Sequence, residues 1–108
     1  MRYVVFLWAL LSLACTGRPD LSAAWSAENL GSNPESVAWD SVNERFVVSI
    51  IGGAPTSKDG NGVLALVGTD GSIINSSWSS GLDAPKGVVV EAGKVYATDI
   101  DKVRVIDA

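Results

Sequence analysis

The sequence predicts an all-β chain built from β-propeller blades, about one and a half to two of them. Three observations carry that expectation. Short apolar runs alternate with turn residues along most of the chain, no stretch keeps a helical period, and one strand-turn-strand unit is written twice. With 108 residues and 47% hydrophobic content, the chain has the size and composition of one domain with a core of its own.

The first element is a leader. Arg2 precedes an apolar run from Tyr3 to Leu13 that is too short to span a bilayer, so residues 1–14 read as a secretory signal peptide. The stretch "LLSLAC" ends in a small residue followed by Cys15, the lone cysteine, and resembles the lipobox of bacterial lipoproteins. That likeness implies lipidation of Cys15 and attachment to a membrane in the periplasm or cell envelope. An ordinary signal peptide that leaves a stray thiol is the alternative. A free thiol in an oxidising compartment is a liability, which favours lipidation, and two acyl chains would anchor the chain stably. Residues 15–24 are small and polar, as a tether is, and the partial propeller domain is expected over 25–108.

Seven strands are expected after Trp25: Ser36 to Trp39, Phe46 to Ile51, Val63 to Val67, Ile73 to Trp78, Val88 to Val90, Val95 to Ile100 and Val103 to Ile106. Between them lie "DSVNER", "TDGS" and "EAGK", and Asp70-Gly71 fits a tight hairpin, because both residues tolerate the positive φ such turns need. The runs "FVVSII", "VLALV" and "GVVV" are apolar at consecutive positions, which implies strands covered on both faces.

The repeat links these runs. "WSAENLGSNPESVAW" begins at Trp25, and "WSSGLDAPKGVVV" begins at Trp78. Trp25 and Trp78 are offset by 53, Pro34 and Pro85 by 51, and Arg45 and Lys94 by 49. A period of about 50 residues holding about four short strands marks a propeller blade, a sheet too small to bury its two faces without neighbours. On this reading each Trp-Ser to Pro segment is the outer strand of one blade and the crossing to the innermost strand of the next. The alternative is a single β-sandwich with similar loops.

The formal charge of −4, with both signs interspersed, offers no basic footprint for nucleic acid or an anionic membrane surface. The absence of histidine excludes a Ser-His pair, a histidine base and a histidine-held zinc or iron within this chain. A metal here would be held by oxygen.

The segments "NPESVAWDSVNERFVVSIIGG", "KDGNGVLALVGTDGSI" and "GLDAPKGVVVEAGKVYATDIDKVRVID" resemble the amino-terminal blades of the superfamily that contains senescence marker protein, gluconolactonase and luciferin-regenerating enzyme, in its exported bacterial branch of six-bladed propellers. The resemblance covers Trp25 to Ala108. It implies a divalent cation, usually calcium, at the mouth of a central channel, held by oxygen side chains near the starts of innermost strands. Glu35 in "PESVAW" matches the first of those ligands. It further implies a metal that activates water or polarises a lactone carbonyl, with a carboxylate as base. Lys86 stands at the equivalent place in the second unit, a departure that leaves a non-catalytic, exported propeller binding a small-molecule ligand or protein partner as the alternative.

Asp59 and Asn61 in "SKDGNG" have the spacing that opens some calcium loops, but a turn explains the same residues and the closing acidic ligand is missing. Asp99 and Asp101 read as turn residues without chemistry, and the tryptophans as packing between blades. Six blades need about 300 residues, so the chain is expected to be a fragment, inactive alone and prone to associate through its open faces and edges. Substrate, ligand and oligomeric state are not written in these residues.

Overall fold

The computed structural model describes Gly17 and residues 19–108; the expected leader, Cys15 and the first part of the expected tether lie outside the described residues. The described chain is all-β, with seven strands and no helix: β1 (Pro34–Asp40), β2 (Arg45–Ile50), β3 (Gly62–Val67), β4 (Ile73–Leu82), β5 (Pro85–Glu91), β6 (Lys94–Asp99) and β7 (Lys102–Asp107). All seven expected strands are present. Five of them run longer than their apolar cores, because the ladders extend into neighbours such as Pro34-Glu35 and Ser79-Ser80, while β2 and β6 keep the expected length but start one residue earlier, leaving Ile51 and Ile100 just outside.

The strands form two antiparallel meanders, one of four in the order β1-β2-β3-β4 and one of three in the order β5-β6-β7. Turn chemistry sets the hairpins. Asp40 closes β1–β2 by accepting the backbone N–H groups of Val42 and Asn43, and Gly71, at φ +84°, lets the β3–β4 turn reverse. The Ala92-Gly93 pair between β5 and β6 has positive φ at both residues, as a two-residue hairpin favours.

Alternation along each strand separates two apolar faces. One face of the first sheet, with Val47, Leu64 and Leu66, packs against Val88, Val95 and Ala97 of the second sheet, and Leu82 joins them from the end of β4. The other face, with Val48, Ile50, Ala65 and Val67, is covered by Ala27 and Leu30 of the segment before β1. The expectation of coverage on both faces therefore holds for β2 and β3. It fails for β5, where Val89 is 59% exposed: a valine run records affinity for burial, and among the described residues the second sheet has a neighbour on one face only.

The repeat is physical as well as textual. Trp25 packs on Phe46 at 5.6 Å between ring centroids, and Leu30 joins the same cluster. Their counterparts Trp78 and Leu82 pack beside Val95, the counterpart of Phe46. In each unit the tryptophan and leucine ahead of the first strand of a sheet lie across the sheet that follows. The units also differ: Ile73–Leu82 is a strand on the edge of the first sheet, whereas the segment from Trp25 to Asn33 carries no strand.

Candidate functional site

The starts of β1 and β5 lie at the same end of the two sheets, and the strands themselves lie side by side. Glu35 and Lys86 are each the second residue of their strand. The loop from Ile51 to Asn61 and the turn at Ile100-Asp101 belong to this end as well, since β2 ends opposite Pro34 and β6 ends opposite Pro85.

A seam of small polar groups joins the strand starts. The Ser49 hydroxyl donates to the Lys86 carbonyl at 2.6 Å and accepts the Ser36 N–H at 3.1 Å. The Val88 N–H points to the Ser36 hydroxyl oxygen at 3.4 Å. Ser49 is fully buried; its one donor proton reaches across to the second sheet, while the N–H it accepts comes from β1 of its own sheet.

The loop after β2 clamps across the same join. Lys86 Nζ donates to the carbonyls of Pro55 at 2.7 Å and Ala84 at 3.1 Å, Lys58 pairs with Asp101 at 2.6 Å, and the Gly60 N–H donates to Asp83 Oδ1 at 3.1 Å. Asp59 accepts the Asn61 N–H at 3.2 Å, and Gly60 between them sits at φ +70°, so this stretch forms the turn that its composition allows. The ammonium of Lys86 is thus turned onto backbone carbonyls. Glu35 stays exposed beside a hollow of about 180 Å³ lined by Pro34, Ser36, Val37 and Val48. That volume is below what an enclosed small-molecule site needs.

Asp99 departs from its reading as an idle turn residue. It is the last residue of β6, its side chain is fully buried, and it accepts the N–H groups of Asp83 at 3.0 Å and Ala84 at 2.8 Å together with Arg104 Nε at 3.2 Å. Burial pushes its carboxyl up, and the backbone donors and Arg104 outweigh burial and hold it below the usual carboxylate range. Asp40 behaves alike, with burial opposed by Asn43 and Arg45, the latter at 3.2 Å. Both aspartates are followed five residues later by an arginine that binds them, a spacing visible in the sequence that could have marked them as structural anchors. Asp101 does lie in a turn, where it pairs with Lys58.

Among the described residues, no three acidic or cysteine side chains gather closely enough to hold a metal ion. Glu35 and Lys86 are brought to one end, while Asp59, Asp83 and Asp101 there are engaged with backbone or with Lys58. Compared with known protein families, curated proteins and solved structures, the chain matches none of them.

Proposed function

We propose that the two sheets are consecutive blades of a propeller-type scaffold, exported and held to a membrane by an acyl group on Cys15, and that ligands are met at the end where β1 and β5 begin. The observation that carries this reading is the equivalence of the two units, in which tryptophan, leucine, inner strand and hairpin recur in order and pack alike. A ring of such sheets places the second residue of every inner strand around one axis, where oxygen ligands from separate blades can converge.

On the resemblance to lactonases, Glu35 is one oxygen ligand of a divalent cation, calcium, in the closed ring. Such an ion supplies Lewis-acid polarisation or an activated water for hydrolysis of a lactone or related ester. The described residues do not by themselves make up its coordination shell, so no catalytic step is assigned to them. The second reading is a non-catalytic exported propeller that binds a small ligand or a protein partner. Lys86 favours it, because a cation fastened to the Pro55 and Ala84 carbonyls stands where a second metal ligand would be useful.

The deciding experiment is lactone hydrolysis by the native protein recovered from the cell envelope, with calcium and with a chelator. Hydrolysis that needs calcium and falls at least a hundredfold in Glu35→Gln supports the hydrolase. Activity indifferent to both treatments removes Glu35 from the chemistry, and no hydrolysis leaves the binding scaffold.

A further inference from the structure

Both halves of the internal sheet-sheet contact recur, uncovered, at opposite ends of the chain. Val47, Leu64 and Leu66, the first half, are 0%, 0% and 2% exposed beneath the second sheet. The repeat makes Tyr96 the counterpart of Val47 and Thr98 that of Ser49; Val103 and Val105, opposite Thr98 and Tyr96, then correspond to Leu64 and Leu66. Tyr96, Val103 and Val105 are 39%, 62% and 55% exposed, with Val89 beside them. The same apolar face is thus built twice and, among the described residues, covered once. Thr98 copies its counterpart too, since its hydroxyl points to the Gly87 carbonyl at 3.4 Å as Ser49 does to that of Ser36. The second acceptor, which Ser49 finds in the Lys86 carbonyl, has no equivalent for Thr98 among the described residues.

The strand edges show the same lack. β3 pairs with β2 on one side and β4 on the other, whereas β7, its counterpart, pairs among the described residues with β6 alone. The counterpart of β4 is present, but at the other end of the chain: "DLSAAWS" from Asp20 to Ser26 corresponds to "IINSSWS" from Ile73 to Ser79. It carries no strand, and its Leu21 is 95% exposed. Next to it Val37 and Trp39 leave the outer face of β1 open at 60% and 44%.

We propose that a second copy of this chain docks head to tail on β5–β7, laying its β1 face over Val89, Tyr96, Val103 and Val105 and pairing its residues 20–26 with the edge of β7 that faces away from β6. The Thr98 hydroxyl then donates to the Glu35 carbonyl of the copy, as Ser49 donates to that of Lys86. A second copy is the occupant because donor segment, acceptor edge and both faces belong to one sequence and reproduce a contact the chain already makes. Such a contact is heterologous, so copies continue into a ring or an open row. The inference rests on the repeated-sheet reading and is independent of the chemistry of Glu35.

Complementation tests it. The chain recovered after export is studied by sedimentation equilibrium in density-matched nonionic detergent, as wild type, as Val103→Glu/Val105→Glu and as Ala23→Pro/Ala24→Pro. The first variant blocks the acceptor at exposed positions; the second removes strand N–H groups from a segment with no structure to lose. The wild type is expected to associate as its concentration rises. Each variant alone should stay a monomer, and an equimolar mixture should form a one-to-one complex of twice the monomer mass, because each variant supplies the half that the other lacks. A monomeric wild type, variants that still self-associate, or a mixture that stays monomeric overturns the docking. A monomeric wild type that melts cooperatively leaves the two-blade reading standing, whereas the calcium assay leaves the mass unaffected, so the two failures are distinguishable.

Discussion

The Ser49 hydroxyl and the Lys86 carbonyl, 2.6 Å apart, tie the first sheet to the second at a point where no water reaches the serine. Removing the hydroxyl leaves the Lys86 carbonyl and the Ser36 N–H without their partner in a buried place. Ser49→Ala is therefore expected to cost about 1–3 kcal/mol in urea unfolding. Thr98→Ala, at the equivalent but exposed position, should cost less than about 0.5 kcal/mol. Equal losses at the two positions would mean that the seam contributes nothing special.

Gly71 is a second point of high sensitivity. Its φ of +84° is open to glycine at little cost, and a Cβ there would stand 2.9 Å from Cε3 of Trp25. Gly71→Ala should destabilise by about 1–2 kcal/mol and shift the tryptophan emission, since the ring has to leave its place on Phe46. Gly60→Ala is the control, with a similar φ of +70° and open space around it; it should lower stability without moving the emission.

These two sites mark what the sequence made legible and what it left hidden. The seven strands could be read because five of the apolar runs end directly at glycine or aspartate and the other two within three residues of a glycine, and the repeat could be read because tryptophan and proline are rare enough for their spacing to carry information. The coverage of Val89 could not be read, because a run of valines does not say which face will find a neighbour. Asp99 was hidden for a related reason: "ATDID" has the composition of a turn, and only the fold brings the Asp83 and Ala84 N–H groups to its carboxylate. For the candidate site, position was legible and engagement was not. Glu35 and Lys86 do share an end, but that Lys86 is fastened to Pro55 depends on a loop conformation.

The ion pair between Lys58 and Asp101 is short, at 2.6 Å, yet both side chains are about half exposed. Water and salt screen such a pair, and its two flexible partners lose entropy in making it. Lys58→Ala should change stability by less than about 1 kcal/mol, and the change should shrink further in concentrated salt. A larger, salt-resistant loss would show that the loop from Ile51 to Asn61 depends on this contact rather than on Gly60 and Lys86.

Acid should expose the buried anchors. The carboxyls of Asp40 and Asp99 are held below the usual range in the folded chain, so the folded state binds fewer protons than the unfolded chain as the pH nears their ordinary values. Their contribution is fully present above the unfolded pKa, about 3.9, and is lost as the pH falls through the lower folded values. The urea midpoint should accordingly stay level from about pH 7 to pH 5 and drop steeply below about pH 4. Exposed Asp70, Asp101 and Asp107 are lowered too, by Ser72, Lys58 and Lys94, and the ion-paired part of their share should fade in concentrated salt. Asp99→Asn keeps the shape and removes the charge, turning an amide toward the Arg104 donor. It should cost about 2–4 kcal/mol near pH 7 and flatten the acid slope even in high salt. A slope unchanged by Asp99→Asn would assign the acid transition to other carboxyls and leave Asp99 only a packing role.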